Sequence, residues 1–150
     1  MITFAHVNIV TDNWRKLADF YISVFDCVPL YPERDLKGDW LNKASNIPNA
    51  HIRGIHLALP GYNNNLPTLE IFQYNENEPD LPAATNRKGF GHIAFKVDNV
   101  KEILEKLLLN GGTQLGELVE TDVKDAGHLT VVYTQDIDGN IIEIQNWKIN

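Results

Sequence analysis

A single cysteine, Cys27, stands in the 150 residues. One thiol cannot close an internal disulfide, which fits a reducing compartment. Cys27 has no base near it in sequence and reads as a small buried apolar residue, not a nucleophile. Long apolar runs are missing too: none approaches the roughly 18 residues of a membrane span. The N-terminus runs straight into a strand pattern, without a basic region followed by an apolar one. These absences predict a cytoplasmic protein with no membrane partner. Positive charge is scarce, with 13 Lys and Arg against 20 Asp and Glu and a formal net charge of −7. Phosphate backbones need a basic stripe, so nucleic acid is excluded as a partner, and an anionic membrane surface is disfavoured. What the chain does have is apolar content of 43% and three Trp, ample for a buried core at the size of one domain.

Two stretches repeat each other. The first opens Phe4-Ala5-His6-Val7-Asn8-Ile9-Val10 and leads into a helical pattern; the second opens Gly91-His92-Ile93-Ala94-Phe95-Lys96-Val97 and does the same. Each copy ends in a strand with a carboxylate at its centre, Leu69-Glu70-Ile71-Phe72 and Ile142-Glu143-Ile144-Gln145. Strand alternation puts Ala5, Val7 and Ile9 on a packed face and His6 with Asn8 on the other. Trp14, Leu17, Tyr21 and Val24 recur at helical spacing, with Thr11 or Asp12 as the expected N-cap. In the second copy Val100, Ile103, Leu104, Leu107 and Leu108 form the stripe, Asp98 is the expected N-cap, and Asn110-Gly111-Gly112 ends the helix.

Residues 31–54 show no clean period and are expected to be an irregular excursion bordering a cavity, with Trp40 among its residues. Strands are expected at 55–59, 68–74, 128–134 and 141–147. The polar stretch 75–89 holds two prolines and reads as a linker. The chain thus divides into a first module (1–74), a linker (75–89) and a second module (90–150), each strand, helix, then two or three strands. The predicted class is α+β. His56 and His128 fall at the start of equivalent strands and are expected at the cavity wall.

An acid inside an apolar strand is costly unless something pairs it. Two such acids and two such histidines, repeated in register, point to one shared metal ion bound by His6, Glu70, His92 and Glu143. Two neutral imidazoles and two carboxylates balance a divalent cation. Donors of this hardness suit Zn, Ni, Co, Mn or Fe(II), and an octahedral ion would keep two positions for water or substrate.

The His6 strand, Asp19-Phe20-Tyr21, Thr68-Leu69-Glu70-Ile71-Phe72, the Gly91–Val97 stretch and the ending Asp136-Ile137-Asp138-Gly139-Asn140-Ile141-Ile142-Glu143 carry a resemblance over nearly the whole chain. It resembles the vicinal oxygen chelate superfamily, the glyoxalase/bleomycin-resistance/dioxygenase group. That resemblance implies paired βαβββ modules, a curled mixed sheet around a metal-binding cavity, and a homodimer. The His-Glu-His-Glu order is similar to that of glyoxalase I. The implied chemistry is chelation of a small substrate such as a hemithioacetal, with an enediolate stabilised while a carboxylate moves the proton. It makes Glu143 the expected base and Glu70 the expected fixed ligand and second catalytic carboxylate. Asn8, His56, Tyr74, His128 and Trp40 are expected along the substrate cavity. Three alternatives share the resemblance: an Fe(II) extradiol-type dioxygenase, an acyl-CoA epimerase and a drug-binding resistance protein. A fourth protein ligand disfavours the first, Glu70 in place of Gln the second, and the retained ligands the third.

Overall fold

The computed structural model describes residues 1–149. They fall into two compact units, the first Met1–Asp80 and the second beginning at Leu81. The boundary lies inside the polar stretch expected to join the modules. The described residues hold three helices and two mixed sheets, in agreement with the α+β expectation.

In the first unit β1 (His6–Val10) leads to α1 (Trp14–Phe25), β2 (Val28–Lys37), α2 (Asp39–Ser45), β3 (His51–Ala58) and β4 (Thr68–Tyr74). The sheet order is β1-β4-β3-β2, with β1 parallel to β4 and the other pairs antiparallel. The expected stripe of α1 is buried in full: Trp14, Leu17, Tyr21 and Val24 pack with Leu57, Leu69 and Ile71 at the core. The N-cap is Asn13, whose side chain accepts from Lys16 N–H, and not Thr11 or Asp12. Thr11 instead accepts from the Asn13 N–H, which turns the chain into the helix.

In the second unit β5 (Ile93–Lys96) leads to α3 (Val100–Leu109), β6 (Thr113–Gln114), β7 (Val119–Val123), β8 (Gly127–Gln135) and β9 (Ile141–Lys148). The order is β5-β9-β8-β6, with β7 also paired to β8 and β5 parallel to β9. Val100, Leu104 and Leu107 are buried, but Leu108, expected in the stripe, is exposed at the helix's outer edge. Asn99, not Asp98, caps α3 by accepting from Glu102 N–H. Gly111, with φ of +91°, ends it as anticipated. A buried Asp136 organises the β8–β9 turn, taking the Asp138 and Asn140 N–H groups on one oxygen and the Asn140 amide on the other.

The stretch 31–54 is ordered secondary structure, contrary to expectation. β2 runs through Lys37, α2 follows, and β3 starts at His51. The period is hidden by a bulge. Leu30 lies opposite His56 and Arg34 opposite Gly54, so β2 spends Tyr31, Pro32 and Glu33 where β3 spends only Ile55. Extra residues break the two-residue alternation. α2 is held by Leu41, which packs with Ala50, Ile52 and Phe72, flanked by Leu36 and Tyr74.

Gly54 in β3 meets β4 with no room for a side chain. A Cβ there would lie 2.0 Å from the Ile71 carbonyl oxygen and 2.6 Å from Phe72 Cδ1. Backbone cannot rotate away as a side chain can. Gly54→Ala is therefore expected to destabilise the fold by about 2 kcal/mol or more. Urea denaturation checks it: the midpoint should fall with the slope unchanged, and an unaltered midpoint would show that the strands separate freely here.

Candidate functional site

Glu70 sits in the middle of β4, with Asn8 opposite on β1 and His56 opposite on β3. Its residue exposure is only 9%, so the carboxylate needs partners. Asn8 Nδ2 donates to Oε1 at 2.9 Å, and His56 Nε2 lies 2.8 Å from Oε2. The other His56 nitrogen is 3.0 Å from the hydroxyl of buried Thr68. The network assigns the tautomer: Thr68 donates to Nδ1, so Nε2 carries the proton and donates to Glu70. Burial, the largest influence, lowers the His56 pKa; Glu70 raises it, and the nearby Arg34 and His6 lower it. The ring therefore stays neutral at physiological pH. His6 Nε2 stands 3.8 Å from Glu70 Oε1, too far for a hydrogen bond, with its ring edge-on to His56.

The second unit repeats the motif with changed neighbours. Glu143 lies in β9 with Ala94 opposite on β5 and Tyr133 opposite on β8. His92, just before β5, places Nε2 at 2.8 Å from Glu143 Oε2. Burial foremost, then the charge of Glu143 and a hydrogen bond to it, raise the Tyr133 pKa. The phenol thus keeps its proton and donates to Glu143. The His92 and Tyr133 rings meet edge to face at 5.2 Å. In each unit the histidine stands one same-face step before the residue opposite the glutamate: His6 before Asn8, His92 before Ala94.

The expected cavity residues scatter. Asn8 and His56 touch Glu70 directly. Tyr74 instead flanks the apolar cluster around Leu41. Trp40 lies on α2, 58% exposed, beside Gly38. His128 is opposite Lys148, at the far end of β8 from Tyr133, and binds Asp122 at 2.8 Å. Tyr133, not His128, occupies the place of His56, because it is the residue paired across the hairpin to the glutamate. Counting back from each glutamate along the chain missed this. The β3–β4 connection is long and the β8–β9 turn short, so equal sequence offsets do not mean equal register. Counting outward from the Asp138-Gly139 turn would have found it. Cys27 is 2% exposed and burial pushes its thiol up to about 12, so it stays protonated and unreactive.

Each unit thus offers one imidazole nitrogen beside one carboxylate. Two ligands about 2.1 Å from a common ion lie roughly 3.0–3.4 Å apart at octahedral or tetrahedral angles. The observed separations of 3.8 Å and 2.8 Å bracket that range, so small rotations suit either pair to a divalent ion. His56, with both nitrogens engaged, is a support for Glu70 and not a free donor. Among the described residues no group of three or more His, Cys, Asp and Glu side chains is already gathered about one metal position.

A cavity of about 310 Å³ opens in the first unit beside this network, bordered by His6, His56, Leu30, Arg34, Asn64 and Asn65. That volume is at the small end of ligand sites, which suits a compact molecule.

Residues 3–144 match the model of the Glyoxalase/Bleomycin resistance protein/Dioxygenase superfamily. A search of curated proteins gives no match. Among solved structures, a glyoxalase family protein from Bacillus cereus matches with a TM-score of 0.83 at 15% identity, covering 98% of this chain and 95% of that one. The fosfomycin resistance protein FosX from Listeria monocytogenes matches with a TM-score of 0.63 at 16% identity, covering 99% and 97%. The same protein complexed with Mn(II) and sulfate matches at 0.59 and 15%, covering 99% and 96%. At these identities the likeness speaks for the fold.

Proposed function

We propose that this chain, which belongs to the Glyoxalase/Bleomycin resistance protein/Dioxygenase superfamily, is a metal-dependent lyase or isomerase of glyoxalase type. It would move a proton on a small substrate with two neighbouring oxygens, such as a hemithioacetal. The observation that carries this reading is the repeated pair, a histidine and a largely enclosed strand glutamate at the same register position in both units. His6, Glu70, His92 and Glu143 supply the donors for one divalent ion, Zn, Ni, Co, Mn or Fe. The Mn(II) complex of FosX supports a divalent ion on this fold. When bound, such an ion stabilises the oxyanion left after a proton leaves the carbon next to a carbonyl.

The chain's own residues do the rest. A Glu143 carboxylate oxygen takes the proton, with His92 and Tyr133 aiming it. Asn8 and His56 hold Glu70 still, and Thr68 holds His56. The cavity beside His6 admits the substrate. The reading includes a cytoplasmic homodimer. Exposed Val10 on edge strand β1 and the neighbouring exposed Phe4 support self-association, and no helix among the described residues is long and apolar enough to cross a membrane.

The test is metal analysis of protein purified without added metal, then turnover of methylglyoxal with a thiol. The expected result is about one divalent ion per chain and thioester formation. Protein that neither retains nor takes up a divalent ion would overturn the reading. Fe(II)-dependent oxygen consumption with a catechol would move the function to ring cleavage.

A further inference from the structure

We infer that Arg34, with Asn64 and Asn65, forms an oxyanion subsite, so that the substrate carries a carboxylate or phosphate group besides its reacting carbon. The inference rests on the proposed function only in taking His6 and Glu70 as the reacting end.

The first observation is placement. Arg34 follows the bulge that makes Leu30 the partner of His56 and Arg34 the partner of Gly54. In an unbroken register Pro32, not Arg34, would stand opposite Gly54. Bulges often re-aim a side chain beside a site. Here the result is that Arg34 and His56 border one cavity.

The second observation is that Arg34 has no counter-ion among the described residues, although acids flank it in sequence. Glu33 is taken by Arg15 in two 2.7 Å hydrogen bonds. Asp35 is taken by His51 at 2.5 Å, with Arg53 beyond at 3.9 Å. Arg34 itself donates one Nη1 hydrogen bond to the Pro32 carbonyl, and among the described residues no carboxylate pairs with it. A guanidinium has five N–H donors, so the planar fork that grips carboxylate or phosphate remains available. This is an unpaired cation at a cavity of a chain whose net charge is −7.

The third observation is the company it keeps. Asn64 and Asn65, from the β3–β4 connection, border the same cavity and carry amide N–H donors. His6 borders the same wall, while the Glu70 oxygens are turned away to Asn8 and His56. An oxyanion bound here would have its neighbouring atoms beside His6.

The experiment uses full-length protein stripped with chelator, so that anion binding is read apart from any metal. Inorganic phosphate, L-lactate and the neutral lactamide are titrated by calorimetry, with side-chain amide NMR signals of Asn64 and Asn65 followed. Phosphate or lactate should bind saturably and shift those signals, and lactamide should not. Phosphate alone binding would assign the phosphoryl class, lactate alone the carboxylate class. Arg34→Gln should weaken anion binding about 10-fold or more, the scale of a lost charge-assisted pair. Arg34→Lys, which keeps the charge without the fork, should fall between. Equal anion binding by wild type and Arg34→Gln, or none by wild type, would overturn the inference. A protein that binds the anion through Arg34 but takes up no divalent ion would instead sink the metal reading and leave the subsite standing.

Discussion

Glu143→Gln is expected to lower turnover by a factor of about 100 or more, the usual scale for losing a positioned base, while keeping most of the metal. The amide has the size of the carboxylate and retains an oxygen for an ion, but it cannot accept the proton. Glu143 is preferred to Glu70 as base because the two are held differently. Glu70 is clamped on both oxygens, by Asn8 and by His56, and His56 is pinned in turn by Thr68. At the place of Asn8 the second unit has Ala94, which offers no side-chain donor. At the place of Thr68 it has Ile141, so nothing equivalent pins Tyr133. Glu143 has as many donors, His92 and Tyr133, but Tyr133 lacks the pin that holds His56, so the carboxylate is freer to turn towards a substrate proton. The measurement pairs elemental metal analysis with the rate on methylglyoxal and a thiol, and with deuterium uptake into recovered substrate. Near-normal turnover and exchange in Glu143→Gln would show that Glu70 carries the proton.

The parts of this fold legible in the sequence are those that keep an undisturbed period. α1 and α3 announce themselves through Trp14, Leu17, Tyr21 and Val24, and through Val100, Leu104 and Leu107, because each helix buries one stripe against a sheet. The glutamates stand out because an acid among strand hydrophobics needs a partner, and the partners are present. Local competition hides the rest. At both helix starts an asparagine one residue beyond the expected acid takes the cap, a choice between equally competent side chains that sequence alone does not decide. The β2 bulge erases its own alternation and with it the strand that carries Arg34. β7, exposed along its length, has no inside and outside to alternate. Tyr133 went unread because its role exists only through pairing with β9, a contact between residues that no periodicity links.

His6→Ala and His92→Ala are each expected to weaken divalent-metal binding by more than a factor of 100, and His56→Gln by only about 10 to 100. Losing a supporting residue typically costs 10–100-fold in affinity, and losing a ligand should cost more. Among the described residues His6 has no hydrogen-bond partner and stands 3.8 Å from Glu70, so its nitrogen can bind an ion. His92 must exchange its 2.8 Å contact with Glu143 for the ion, which needs only a small opening of the pair. His56 cannot bind one through either nitrogen without abandoning Thr68 or Glu70, and its replacement should loosen Glu70 and remove nothing from the donor set. The side chain of His6 is 43% exposed, so its loss leaves no core cavity to confuse metal loss with unfolding. Affinities are read by competition with a coloured chelator on folded protein, with circular dichroism as the control for structure. The ordering is the decisive part. If His56→Gln loses metal while His6→Ala keeps it, then His56 is the ligand. Thr68 would then give up its role as the pin for His56, and the donor set would have to be rebuilt around the β3–β4 pair.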